Sequence, residues 1–282
     1  MEFINGVEVR NELLKEYKDI IERENLSISL AIIQVDDDPA SNTYIRNKIK
    51  YCEEVGIRTR LIRLGGMINQ SVIESIIESL NVDPEVTGII LQSPLPIHLD
   101  FTSLARLIDP EKDVDGFTEK NLFGVRDNKE NIVPCTVRGI LKLIEHYQID
   151  LENKSTVVIG RSNIVGRPLF DALVNRDATV TLCHSKTKNL ALYTRNADLV
   201  ISAVGKPNLI TPDMVKDNFI GIDVGISVVD GKLVGDFSKD TYPKASLITP
   251  VPGGVGPMTV AMIIGNLIDM KRKTKENRKL KY

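Results

Sequence analysis

The chain has few of the residues from which metal and redox sites are built. Its 282 residues include three cysteines, Cys52, Cys135 and Cys183, and three histidines, His98, His146 and His184. The cysteines are odd in number, far apart and form no C-x-x-C, which argues against a disulfide framework or a cysteine zinc site and points to a reducing, cytoplasmic compartment. The histidines do not cluster, so no metal centre is expected. An excess of one charge is also lacking. The 36 Lys and Arg against 38 Asp and Glu leave a formal net charge of −2, too little to favour nucleic acid or an anionic membrane as the main partner. The basic tail from Lys271 to Lys281 reads as a solvated helix end. The longest apolar runs, such as Val260 to Ile264, are far too short to span a bilayer, and Met1 to Gly6 lacks the basic-then-apolar order of an export signal. No internal repeat or low-complexity linker interrupts the chain. A small-molecule partner is left as the expectation.

The length lies where single cores stop growing and chains divide, which predicts two lobes with a cleft between them. Apolar runs of strand length alternate with helix-period segments: Leu30 to Val35, Leu61 to Leu64 and Gly88 to Leu91, then Thr156 to Ile159, Thr179 to Leu182, Leu199 to Ser202 and Ile220 to Val224. This is the pattern of parallel α/β sheets. The fold class is α/β, with an N-terminal parallel α/β lobe over residues 1–136 and a Rossmann-like dinucleotide lobe over 137–258. A last helix, 259–282, is expected to return to the first lobe.

Two loops stand out. Thr249-Pro250-Val251-Pro252-Gly253-Gly254-Val255-Gly256-Pro257-Met258-Thr259 is so rich in proline and glycine that it reads as a rigid cradle with little side chain, open to a ligand. Gly160-Arg161-Ser162-Asn163-Ile164-Val165-Gly166-Arg167-Pro168 follows the run Thr156 to Ile159 directly. A strand feeding a glycine turn and a helix suits a pyrophosphate, although the Gly160 to Gly166 spacing is not G-x-G-x-x-G. The next strand ends without the carboxylate that holds an NAD ribose. It offers Leu182-Cys183-His184-Ser185-Lys186-Thr187, and Arg161 adds a guanidinium that forks onto phosphate oxygens. NADP is therefore preferred over NAD.

In the first lobe, Asp38 and Pro39 form a helix start and Gly56 a stop. Ser41, Tyr44 and Lys48 then share a helix face. Tyr44 and Lys48 make an acid–base candidate, since a partly dry lysine is shifted toward neutrality and a nearby phenol relays or orients protons. Gln92 ends the strand Gly88 to Leu91 at the carboxyl edge of a parallel sheet, where α/β ligands bind. Asp115 offers two acceptor oxygens on a turn that Gly116 lets bend.

Asp37 to Ser41, Tyr44 through Lys48, Gln92 to Pro96, Lys112 to Phe117, Pro134 to Thr136, Gly160 to Pro168, His184 to Thr187, Asp223 to Ile226 and the Thr249 to Thr259 cradle occur in this order. Together they closely resemble the bifunctional methylenetetrahydrofolate dehydrogenase/methenyltetrahydrofolate cyclohydrolase family over nearly the whole chain. Ser93, Val137 and Asp36 depart from it, standing where leucine, proline and glycine are usual.

The resemblance implies NADP-dependent oxidation of 5,10-methylenetetrahydrofolate to the methenyl form and reversible hydrolysis to 10-formyltetrahydrofolate, in one-carbon metabolism. Its catalytic set is Lys48, Tyr44, Gln92 and Asp115. Lys48 serves the hydrolytic step, Gln92 tunes it, Tyr44 stacks on the folate and Asp115 accepts from the pterin. Ser41, Pro252 and Gly253 join Tyr44 and Asp115 at the substrate, while Gly160, Arg161, Ser162, Ser185 and Ile226 contact NADP. A homodimer formed through the cofactor lobes is also implied. Two rival readings stay open: a dehydrogenase without the hydrolytic step, and a non-catalytic folate and NADP sensor.

Overall fold

Strand β1 (Glu2–Phe3), helix α1 (Gly6–Arg23), β2 (Ser29–Val35), α2 (Pro39–Glu54), β3 (Arg58–Leu64), α3 (Gln70–Val82) and β4 (Gly88–Leu91) open the chain in the computed structural model, which describes residues 1–129 and 132–279. Helices α4 (Phe101–Arg106), α5 (Glu119–Arg126) and α6 (Cys135–His146) come next. Then follow β5 (Ser155–Ile159), α7 (Gly166–Val174), β6 (Thr179–Cys183), α8 (Ala191–Thr194), β7 (Leu199–Ser202) and β8 (Phe219–Asp223). The chain closes with β9 (Ser227–Val229), β10 (Lys232–Val234), β11 (Ala245–Ile248) and the long α9 (Val255–Lys279).

Two compact units divide this order. One comprises Met1–Asn11, Val125–Lys129 and Thr136–Thr259; the other comprises Glu12–Gly124, residues 132–135 and the chain from Val260 onward. The expected terminal helix therefore starts earlier, at Val255, and its last three positions, 280–282, lie outside the described residues.

In the second of these units, β2 lies between β3 and β4 in a three-stranded parallel sheet of order β3-β2-β4. The β2 sequence Ser-Leu-Ala-Ile-Ile-Gln-Val is buried at every position after Ser29, as expected of a strand covered on both faces. Ala31, Ile33 and Val35 pack with Ile73, Ile77 and Leu80 of α3 and with Ile89 and Leu91 of β4. The apolar period of three to four along α3 is what turns one helix face onto that sheet.

The other unit carries a six-stranded sheet of order β1-β11-β8-β7-β5-β6, parallel at every pairing. Its core gathers Val157 and Ile159 of β5, Val200 of β7, Phe219 of β8, Ile248 of β11 and Phe237. A separate antiparallel hairpin pairs β9 with β10 around Asp230 and Gly231, both at positive φ (50° and 73°). That is the backbone a two-residue turn of the primed type requires.

Candidate active site and cofactor turn

In the three-stranded sheet the strand order reverses between β2 and β4, and a parallel sheet opens for ligands at the carboxyl ends of such a pair. Both loops leaving that point carry candidate residues. After β2, Asp38 caps α2 by accepting from Ser41 N at 2.7 Å, with Pro39 in the first turn. Asp36 takes φ 68° just before the cap, in the left-handed region where the related family usually has glycine. An aspartate tolerates that conformation better than most residues, and its Oδ1 accepts from Asp37 N at 2.9 Å.

From this fixed start, α2 carries Ser41 and Lys48 into buried positions and leaves Tyr44 half-exposed. Gln92, directly after β4, accepts from Lys48 Nζ through Oε1 at 3.0 Å and donates from Nε2 to Ser93 O at 2.6 Å. The two bonds settle the amide orientation, because the flipped form would set an NH2 against the ammonium. Ser41 Oγ donates to the same Ser93 carbonyl at 3.4 Å. One turn beyond Lys48, burial pushes the Cys52 thiol up to about 12, against the pull of Lys48. It stays protonated and is no nucleophile.

Asp115 sits on a loop clamped from both ends. The Asp113 carboxylate is buried and accepts from Gly116 N at 3.0 Å, Thr118 N at 2.7 Å and Asn121 Nδ2 at 3.0 Å. On α9, Asn266 donates to Val114 O at 2.9 Å and Val133 O at 3.1 Å. Gly116 has φ 75°, and a Cβ there would lie 2.9 Å from Pro134 N. Burial raises the Asp115 carboxyl above the usual range; the Lys48 charge pulls it back and Asp113 adds to the rise. The sequence reading missed Asp113 and Asn266. A two-residue Asp alternation around Val114 was the only signal for Asp113, and nothing local marks Asn266.

In the six-stranded sheet the order reverses between β5 and β7. Gly160, directly after β5, has φ 115°, and a Cβ on it would lie 2.5 Å from Ala203 O, which directly follows β7. A Cβ on Gly166 would meet Gly160 O at 2.0 Å. Both glycines therefore leave the backbone bare at the switch point, the shape a pyrophosphate needs for close approach. Several N–H groups of this turn are already engaged within the loop. Ser162 Oγ accepts from Val165 N at 3.2 Å and Gly166 N at 3.3 Å, and Ser162 O accepts from Arg167 N at 3.0 Å. The long side-chain bonds are weak, while the positive end of α7 remains.

Arg161, Ser162 and Ser185 are exposed, and Ile226 is 39% exposed. Ser185 lies on a tight turn in which Thr187 Oγ1 accepts from His184 N at 2.9 Å and His184 Nδ1 accepts from Lys186 N at 3.1 Å. The proline and glycine cradle belongs to the same unit. Gly253 has φ 111°, Gly254 N donates to Pro250 O at 2.8 Å, and Pro252 is exposed. A Cβ on Gly6 would lie 1.8 Å from Gly254 O, so the N-terminal segment packs tightly beneath it.

The family described as tetrahydrofolate dehydrogenase/cyclohydrolase, catalytic domain, matches residues 4–115, and its NAD(P)-binding domain matches residues 134–275. The chain belongs to the tetrahydrofolate dehydrogenase/cyclohydrolase family. A bifunctional protein FolD of Clostridium novyi (strain NT) is 47% identical over 263 residues, 93% of this chain and 95% of that protein. Another, of Campylobacter fetus subsp. fetus (strain 82-40), is 44% identical over 98% of this chain and all of its own length (100%). The crystal structure of the bifunctional FolD methylenetetrahydrofolate dehydrogenase/cyclohydrolase from Campylobacter jejuni superposes with a TM-score of 0.95 at 43% identity, covering 97% of this chain and 99% of that one. The Trypanosoma brucei methylenetetrahydrofolate dehydrogenase-cyclohydrolase, complexed with NADP cofactor and inhibitor, superposes with a TM-score of 0.90 at 34% identity, over 96% and 97% of the two chains. Within the family frame, the candidates divide by unit. Ser41, Tyr44, Lys48, Gln92 and Asp115 lie in the unit with the three-stranded sheet, and Gly160, Arg161, Ser162, Ser185, Ile226, Pro252 and Gly253 in the other. The bare glycine turn at Gly160 fits a dinucleotide.

Proposed function

We propose that this chain oxidises 5,10-methylenetetrahydrofolate to 5,10-methenyltetrahydrofolate with NADP and hydrolyses the product to 10-formyltetrahydrofolate. The observation that carries the reading is the Lys48 Nζ to Gln92 Oε1 bond of 3.0 Å at the switch point of a chain matched along both family domains. The Gln92 amide holds the amine in place by accepting from it. NADP, when bound, accepts a hydride from the one-carbon bridge. That step asks the protein for alignment more than for a proton acceptor.

The hydrolytic step needs a proton moved. Water adds to the methenyl carbon and loses one proton to Lys48 Nζ, the amine returns that proton to the folate nitrogen as the carbon–nitrogen bond breaks, and the carbinol hydroxyl releases its remaining proton to solvent as it becomes the formyl carbonyl. Tyr44 offers a half-exposed ring for stacking on the pterin, and Asp115 accepts its amino and ring N–H groups. Ser41, Pro252 and Gly253 complete the folate contacts. Arg161 and Ser185 hold the 2′-phosphate, and Gly160, Ser162 and Ile226 the rest of the dinucleotide. The chain works as a cytoplasmic homodimer. Cys52, Cys135 and Cys183 are buried thiols, in keeping with a reducing compartment, and Val228, Val229 and Leu233 expose an apolar edge on the β9–β10 hairpin for pairing. No described helix is long and apolar enough to cross a membrane. The test is to mix protein, NADP and 5,10-methylenetetrahydrofolate and follow the near-ultraviolet absorbance of the reduced nicotinamide. Steady growth is expected; binding of both ligands without any reduction would leave a sensor as the correct reading.

A further inference from the structure

Asp236 is fully buried, and both of its carboxylate oxygens are engaged. Oδ2 accepts from Ser202 Oγ at 2.7 Å, Val204 N at 2.9 Å and Gly205 N at 3.3 Å, and Oδ1 accepts from Lys206 N at 2.8 Å. These donors belong to the end of β7 and the loop leaving it, so a single carboxylate shapes that loop as an anion shapes a nest of N–H groups. The loop borders the cofactor turn directly. Its first residue, Ala203, supplies the carbonyl that excludes any side chain at Gly160, and Gly205 O accepts from Ser227 Oγ at 2.9 Å, next to Ile226.

A second buried carboxylate fixes Asp236 in turn. Asp223 Oδ1 accepts from Asp236 N at 3.0 Å and Oδ2 from Phe237 N at 2.9 Å, while Asp223 N donates to Thr249 Oγ1 at 2.7 Å. The chain is pared down to admit the pair. A Cβ on Gly225 would lie 2.0 Å from Asp236 Oδ1, and one on Gly235 would lie 2.1 Å from Asp223 Oδ2. Two desolvated carboxylates with a dedicated glycine each are costly unless their hydrogen bonds serve a purpose.

We propose that Asp236 is a positioning residue for the dinucleotide: its carboxylate sets the 203–206 loop so that Gly160 and Ile226 keep the spacing NADP requires. The inference rests on the cofactor reading of this unit. Asp236→Asn keeps the shape but turns one end of the group into a donor. Either Lys206 N or the Val204 and Gly205 N–H groups then face an NH2, and the loop must shift to relieve the clash.

Cyclohydrolase turnover of 5,10-methenyltetrahydrofolate needs no NADP and therefore reports on the rest of the molecule. In Asp236→Asn, Kd and KM for NADP are expected to rise about tenfold or more, while cyclohydrolase kcat stays within about twofold of the parent. Ser202→Ala removes a single donor to Oδ2 and is expected to weaken NADP about threefold, with cyclohydrolase kcat again within about twofold of the parent. Should Asp236→Asn fail to fold, Ser202→Ala decides. Unchanged NADP affinity in the folded variants overturns the proposal, as does an equal loss of NADP binding and cyclohydrolase rate. Absence of NADP reduction by the parent protein would instead strike the functional reading, and it is seen before any variant is made.

Discussion

At Asp115 the chemistry follows from where a carboxylate is kept. Burial raises its pKa and Lys48 only partly restores it, so it takes up a proton at a higher pH than the ordinary aspartate value of about 3.9. On the proposed reading, protonation removes an acceptor from the pterin. On this account KM for the folate rises as pH falls toward the raised pKa of Asp115 while KM for NADP does not, and Asp115→Asn abolishes the dependence; a folate KM that stays flat in the parent contradicts the role. Arg161 gives a second check. Charged hydrogen bonds are worth about 1.5–3 kcal/mol, so Arg161→Ala should cut the preference for NADP over NAD by roughly 10-fold or more, read from KM for the two cofactors. An unchanged ratio removes Arg161 from the phosphate site. Lys48, Gln92 and Asp115 were legible because their residue types sit beside strong signals: a helix start at Asp38, a strand end at Leu91 and a glycine turn. Asp113, Asn266 and Asp236 were not. They work by bonding backbone groups distant in sequence, and no spacing records such a partner.

Among the elements, the strands buried on both faces were the clearest. Gly88–Leu91 and Leu199–Ser202 coincide with continuous apolar runs, and β2 and β5 each extend theirs by one residue at the start. Strand β1 is two residues long, too short for periodicity to separate it from loop, and in β11 Ser246 breaks the apolar run. The β9–β10 hairpin did carry its signal, Asp230-Gly231 between apolar pairs, and was overlooked. Helix α6 starts at Cys135, so the expected lobe boundary after residue 136 falls within its first turn.

The cofactor turn predicts its own sensitivity. Gly160→Ala sets a Cβ against Ala203 O and forces φ 115° on a residue that resists it. A loss of about 1–3 kcal/mol in unfolding free energy with a raised KM for NADP is expected; wild-type values for both would mean that the turn is not held as described. The β8 end gives a pH test of stability. Burial, with Asp236 nearby, pushes Asp223 up to about 7. Unfolded, the group titrates near the ordinary value of about 3.9. Between these limits the folded state holds a proton that the unfolded state has released, so this contribution to stability falls as pH rises and levels off above the folded pKa. The difference in urea midpoint between the parent and Asp223→Asn should shrink or reverse across that window, and a pH-independent difference would contradict the shift.

At the scale of the whole molecule, one chain carries two parallel sheets, each with a strand-order reversal near which candidate residues lie. On the proposed reading, loops of the smaller one supply the amine and carboxylate, and the larger one supplies a bare turn for a dinucleotide. Alternating strands and helices made both sheets readable in advance. That Met1–Asn11 adds a strand to the larger sheet was not, because Glu2 and Phe3 pair with Leu247 and Ile248 across nearly the full length of the chain. The central claim is that both reactions belong to this chain and that only the hydrolysis depends on the Lys48 amine. It is tested most directly in Lys48→Met, by following NADP reduction and 10-formyltetrahydrofolate formation in the same reaction. Continued reduction with accumulation of the methenyl compound and a hydrolytic rate down by about 100-fold or more is the expected result. Formyl product appearing at the parental rate would contradict it.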